Sequence, residues 1–339
     1  MKKITTLIAI FASSSAFANW QALPEVAPAP ADNPTTAEKV ELGKALYFDP
    51  RISSSGTVSC NSCHNVMTGG DDSRATSVGV DGKQGGRSAP TVWNAAFYST
   101  QFWDGRANTL EDQAVGPMTN PVEMGAKDHA SVMSRLKNIP GYKTMFSNAF
   151  GNSDMTIDQA AKAIASYERT LITPNSAYDQ FVKGNKKALT SEQQQGMKLF
   201  AEIGCNSCHS GPAFNGQQGV DIGTPVLMKF PMFNNNAYDK KYDLSADKGR
   251  EEVTGKKEDA NMFRIPTLRN IALTAPYFHN GSVKDLGAAV QVMAKTQLDR
   301  DLKQLEVQQI VAFLNSLTGE FPAQSLPRLP GTSGTTLIR

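Results

Sequence analysis

Two identical pentapeptides, Cys60-Asn61-Ser62-Cys63-His64 and Cys205-Asn206-Ser207-Cys208-His209, hold every one of the chain's 4 cysteines. A Cys-x-x-Cys pair by itself suits a redox dithiol, a zinc site or disulfide pairing. The adjacent histidine turns it into the spacing of c-type haem attachment. Two thiols bond the porphyrin edge, and the imidazole next to them faces the iron. Two copies with no cysteine left over favour two covalently bound haem c groups, with His64 and His209 as axial ligands.

The elements that must position these motifs also come in pairs. A helical pattern begins near Thr36, with Val40, Leu42, Leu46 and Tyr47 at helical spacing, and leads toward the first motif. Gln195 to Phe200 leads into the second. A long irregular stretch follows each motif, and then an amphipathic helix. The first is Ile157 to Leu171, with Ala160, Ile164, Tyr167 and Leu171 on one face; the second is Val307 to Leu317, with Ile310, Phe313, Leu314 and Leu317. One unit of helix, haem motif, wrapping loops and closing helix is therefore used twice. Pro, Gly, Asn and Lys gather between Pro174 and Lys187 and mark the boundary. The expected architecture is all-α, with two cytochrome c-like domains over residues 36–180 and 181–339. A proline- and alanine-rich extended arm, residues 19–35, precedes them. The loops Gly69 to Pro90 and Gly211 to Phe263 are too long for plain connections and are expected to wall the haems and join the domains.

Composition narrows the setting. Of 339 residues 40% are hydrophobic, enough for a core, and 19% charged, too few for general disorder. Lys2 and Lys3, the apolar run Ile4 to Ala12 and the Ala16-Phe17-Ala18 site read as a signal peptide over residues 1–18, cleaved after Ala18. The apolar run is too short for a membrane anchor, and no other stretch could span a bilayer. Cleavage removes Lys2 and Lys3, so the 34 basic residues become 32, matching the 32 acidic ones. With no basic stripe, nucleic acid is not an expected partner. Export and c-type haem together place the chain in the periplasm.

From about Ala37 to Pro330 the chain resembles the bacterial di-haem cytochrome c peroxidases, a group that includes the MauG-like enzymes. The resemblance rests on Cys60-Asn61-Ser62-Cys63-His64-Asn65, Ala89-Pro90-Thr91-Val92, Gln101-Phe102-Trp103-Asp104-Gly105-Arg106, Pro121-Val122-Glu123-Met124, Leu171-Ile172-Thr173-Pro174 and Leu268 through His279. It implies a peroxide-binding N-terminal haem and a high-potential C-terminal haem whose second ligand is a methionine, here Met293. It implies that Glu123 moves a proton between the peroxide oxygens, that Gln113 and Phe102 line the same pocket, and that Trp103 lies between the haems. It implies a calcium ion between the domains, held by two carbonyls matching Thr274 and Pro276 and by an asparagine side chain. Ser88, a poorer ligand, stands at the asparagine position. His279 is expected near the C-terminal haem without ligating iron, and His129 is expected to be solvated. The family is usually homodimeric.

Three functions compete. A cytochrome c peroxidase reduces hydrogen peroxide to water with electrons from a small cytochrome c or a copper protein of the cupredoxin type. A MauG-like enzyme oxidises residues of a partner protein and has tyrosine where Met293 stands. A non-catalytic electron carrier needs neither Glu123 nor an open iron. Met293 and Glu123 favour the peroxidase. One departure from the family stands out. Many members cap the oxidised N-terminal haem with a histidine sixteen residues after the motif histidine, and that position is Val80. Met67 and Lys83 are the nearby side chains that could cap it instead. The expectation is an N-terminal haem open in the fully oxidised protein.

Overall fold

A computed structural model describes residues 20–220 and 224–332; the signal peptide, its cleavage site and the last residues of the C-terminal tail lie outside them. The first half contains α1 (Ala37–Phe48), α2 (Cys60–Cys63), α3 (Leu110–Thr119), α4 (His129–Lys137), α5 (Pro140–Phe150) and α6 (Ile157–Glu168). The second contains α7 (Ala177–Val182), α8 (Ser191–Ile203), α9 (Ala237–Tyr242), α10 (Glu251–Thr254), α11 (Leu286–Leu298) and α12 (Gln304–Asn315). The fold is all-α apart from an antiparallel ribbon of β1 (Leu227–Lys229) and β2 (Met262–Arg264), which periodicity alone does not reveal.

The duplicated unit is visible in how its helices start and cross. Thr36 caps α1 by accepting from the Lys39 N–H, and α6 and α8 begin with reciprocal capping boxes, Thr156 with Gln159 and Thr190 with Gln193. In each half the helix before the motif packs on the closing helix through a glycine. A Cβ at Gly43 of α1 would stand 1.9 Å from the Ala163 carbonyl oxygen of α6. A Cβ at Gly196 of α8 would stand 1.8 Å from the Gln309 carbonyl oxygen of α12. Only a residue without a side chain permits either approach. Around the first crossing Leu42, Leu46, Tyr47, Ile164 and Tyr167 form a buried cluster. Around the second Met197, Phe200, Phe214, Ile310 and Phe313 do the same.

The two ends of the described chain cross over. Trp20, in the N-terminal arm, packs among Tyr178, Phe200, Phe214 and Phe313 of the second cluster, with ring centroids 6.0 to 6.5 Å away. The C-terminal tail returns to the first half, where Phe321 meets Trp93 edge-on at 4.8 Å and the Pro330 carbonyl accepts from Arg51 (2.9 Å). A wholly buried ion pair fixes the arm: Asp179 Oδ1 accepts from Arg269 Nη2 (2.8 Å) and from the Leu23 N–H (2.9 Å). Arg269 Nε donates in turn to the Pro212 carbonyl (2.8 Å), just after the second haem motif. The boundary expected at residue 180 falls within α7, whose Tyr178 packs into the second cluster.

Candidate haem sites and the residues around them

Both motif histidines are set up in the same way. His64 Nδ1 donates to the Pro90 carbonyl (2.9 Å), and His209 Nδ1 donates to the Phe214 carbonyl (3.0 Å). Each bond fixes the tautomer that leaves Nε2 with a free lone pair, the arrangement a metal-ligating imidazole requires. Burial pushes both imidazoles below their ordinary pKa, against the carbonyl contacts that raise it, so both are neutral and fit to bind a metal at neutral pH. None of the four cysteines is in a disulfide, which removes that reading of the motifs. Burial pushes the Cys60 thiol up to about 12 and the Cys205 thiol likewise to about 12.

A cavity of about 240 Å³ opens beside the second motif. Cys205, Cys208 and His209 line it, together with Met293 of α11, so residues far apart in sequence meet there. Two buried nitrogens without partners also border it. Arg264 Nη1 and His279 Nε2 are buried without a hydrogen-bond partner. An apolar cavity with a free imidazole nitrogen, a thioether and an unsatisfied guanidinium donor at its edge fits a haem, whose two propionates are the only anionic part. His279 stacks on Phe263 (4.5 Å between centroids), and burial brings its pKa down to about 4. It is therefore neutral, and it lines the cavity. Arg264 was not foreseen, because nothing in its local sequence marks it; its guanidinium lies 3.6 Å from the Tyr98 ring centre.

Phe102 and Trp103 face different ways. Phe102 takes a left-handed backbone conformation, φ 65°, rare for a residue with a side chain. Its ring packs on α3, where a Cβ at Gly116 would be 3.3 Å from it, one helical turn from Gln113. The Trp103 ring instead lines the C-terminal cavity, held by its Nε1–H donating to the Ser88 carbonyl (2.9 Å). Arg87 ties this segment to the second half, pairing with Asp104 on one side and with Asp247 (2.6 Å) and Glu252 (3.0 Å) on the other. Thus Arg87 in the first long loop is joined to residues of the second.

Glu123 sits in the turn after α3, half-buried. Asn120 Nδ2 donates to its Oε1 (2.8 Å), a positioning contact that the sequence motif does not announce. Burial raises the Glu123 pKa and the Arg106 charge opposes that rise. Glu123 in turn contributes to raising both the Cys60 and Cys63 pKa, so its carboxylate lies within electrostatic reach of the first haem motif. Gln113 makes no hydrogen bond to Glu123 among the described residues. Arg106 lies over the Phe102 ring at 3.4 Å, linking these groups.

Val80 is 2% exposed and belongs to the first core cluster. Its N–H donates to the Glu123 carbonyl (2.9 Å). The position that carries a capping histidine in the resembling family is thus docked, through its backbone, to the segment bearing Glu123. Neither alternative cap is aimed inward. Met67 is 57% exposed, and Lys83 Nζ donates to the Pro121 carbonyl (3.2 Å). His129, expected to be solvated, is half-buried, and its Nε2 bonds the Val115 carbonyl (3.0 Å). Helix α4 packs against α3, and that places the ring against the Val115 carbonyl in the middle of its neighbour. Ser88, Thr274 and Pro276 border the C-terminal cavity together.

The duplicated helical unit, the two motif histidines and the cavity between cysteines and methionine define a helical two-haem protein. Comparison with known proteins gives its family. Residues 37–187 match the family described as di-haem cytochrome c peroxidase. The chain is 43% identical to cytochrome c551 peroxidase of Nitrosomonas europaea over 98% of this chain and 94% of that one. It is 44% identical to cytochrome c551 peroxidase of Pseudomonas aeruginosa, over 95% and 90% respectively. Its fold matches the crystal structure of a MauG-like protein associated with microbial copper homeostasis, with a TM-score of 0.77 and 29% identity over 88% and 95% of the two chains. The chain belongs to the di-haem cytochrome c peroxidase family and is a peroxidase of the oxidoreductase class, with two haem cofactors. No helix among the described residues is long and apolar enough to cross a membrane.

Proposed function

We propose that this peroxidase reduces hydrogen peroxide to two waters, consuming two protons and one electron from each of two molecules of a small cytochrome c or cupredoxin. It works in the periplasm after signal cleavage, as a homodimer. The observation that carries the reading is the matched pair of neutral imidazoles, each held by a backbone carbonyl through Nδ1 and each beside two thiols. Cys60 and Cys63 hold the N-terminal haem c covalently, and Cys205 and Cys208 the C-terminal one. His64 and His209 would hold the two haem irons through Nε2, and Met293 would supply a further ligand to the C-terminal one. The haem irons supply peroxide binding and one-electron redox chemistry. The protein supplies the rest. Glu123, oriented by Asn120, would take a proton from one peroxide oxygen and return it to the other, which leaves as water, while the two donor electrons and two protons carry the remaining oxygen to a second water. Gln113 and Phe102 shape the pocket, and Trp103 shortens the electron's path between the two halves. Thr274 and Pro276 carbonyls hold a calcium ion near Ser88. A steady-state assay with peroxide and a reduced small cytochrome tests the function. No peroxide-dependent oxidation of the donor would overturn it.

Two outcomes test the assignment of groups. Denaturing gels should retain haem stain on the chain, and the intact mass should show two haems, with Cys60→Ala or Cys205→Ala lowering the stoichiometry. A wild-type mass with one haem would refute the two-site assignment. Met293→His should lower the potential of the C-terminal haem, because imidazole stabilises ferric iron better than a thioether does. Donor oxidation should slow while peroxide binding persists. An unchanged redox titration would remove Met293 as a ligand.

A further inference from the structure

The loop after the first haem motif is clamped on both sides of Asp71. On one side a Cβ at Gly69 would stand 2.4 Å from the Leu273 carbonyl oxygen and 2.9 Å from Asp71 Oδ1, so only a glycine lets this loop approach Leu273 and the two oxygens lie close to each other beside it. On the other side a Cβ at Gly281 would stand 2.4 Å from Ala75 Cα, and the Ser88 hydroxyl donates to the Arg74 carbonyl (3.4 Å). Between these clamps Asp71 is 3% exposed, and its Oδ1 is buried without a hydrogen-bond partner. A dry, unpaired carboxylate oxygen is costly, and buried charges in folded proteins are paired or coordinate metals.

We infer that Asp71 supplies the side-chain oxygen of the interdomain calcium site, in place of Ser88, alongside the carbonyls of Thr274 and Pro276. This rests on the calcium reading given above. Calcium takes several oxygen ligands, carboxylates and backbone carbonyls among them, and waters complete its shell. A carboxylate brings the charge that a serine hydroxyl lacks. Ser88 is otherwise engaged: its hydroxyl meets Arg74, its N–H donates to the His279 carbonyl (2.7 Å), and its carbonyl accepts from Trp103 (2.9 Å). Ser88 shapes the turn, and Asp71 Oδ1 lies close to the Leu273 carbonyl oxygen, one residue before Thr274. The ion then links the loop after the first haem motif to the segment that ends at His279.

Calorimetric titration of calcium chloride into EDTA-treated, haem-loaded protein tests the assignment. Wild type should bind one calcium per chain, Asp71→Asn should bind about tenfold more weakly or worse, and Ser88→Ala should stay within about twofold of wild type. Melting provides a second readout. At one calcium concentration the melting temperature should rise less in Asp71→Asn than in wild type. In EDTA the variant should melt no lower than wild type, because an amide is cheaper to bury than an unpaired carboxylate. A calcium-free variant that melts lower, or fails to fold, overturns the inference. If Ser88→Ala abolishes binding and Asp71→Asn does not, calcium is present but Asp71 is not its ligand. If wild type binds no calcium, the calcium reading and this inference fall together.

Discussion

Glu123→Gln should lower peroxide turnover by about 10²- to 10⁴-fold, the range a general acid–base group supplies, with haem content unchanged. Glutamine keeps the shape and can still meet Asn120, but it cannot take and return a proton. The pH profile separates this from a packing effect. The reaction needs Glu123 as the carboxylate, so kcat/KM should fall as pH drops through its pKa. Burial sets that pKa above the ordinary value of 4.5, and the Arg106 charge holds it back. Removing the charge with Arg106→Gln should move the acid limb to higher pH, and in Glu123→Gln the limb should vanish. Near-wild-type turnover in Glu123→Gln, or an acid limb that survives it, would remove Glu123 from the mechanism.

The oxidised protein should react with peroxide as soon as the two are mixed. In a family member with a capping histidine, reaction waits for one-electron reduction to release that ligand. Here Val80 occupies the position, and its side chain is buried in the first core cluster. Its N–H is spent on the Glu123 carbonyl, Met67 faces solvent, and Lys83 reaches the Pro121 carbonyl. No histidine lies between His64 and His129 to replace the missing one. Electron paramagnetic resonance of the fully oxidised protein should therefore show one high-spin and one low-spin haem. Stopped-flow mixing with peroxide should shift the Soret band without prior reduction. Two low-spin signals, with reactivity only after one-electron reduction, would mean that another side chain caps the iron.

The haem motifs and most helices could be read from the chain because they are local. Two thiols and an imidazole within five residues need no folding to be neighbours, and α1, α6, α8 and α12 carry their apolar faces at helical spacing. Glu123 stood in a short family motif, Pro121 to Met124, whereas Met293 was placed only by its distance after His279. What tertiary structure decided involves groups distant in sequence. Pro90 and Phe214 orient the two motif histidines, Asn120 holds Glu123, and Arg264 joins His279 at the edge of a cavity with Met293. His129 illustrates the difference: its helix start was readable, but its burial depended on where α4 met α3. The same holds for the crossed ends, where Trp20 completes the second core and Phe321 covers the first. Such contacts arise when chain closure brings distant segments together, and no periodicity or spacing encodes which backbone carbonyl a side chain will meet. Asp71 belongs with them, since one aspartate among many in the chain becomes distinctive only when Leu273, Gly281 and Ser88 close around its loop and shut its oxygen away from water.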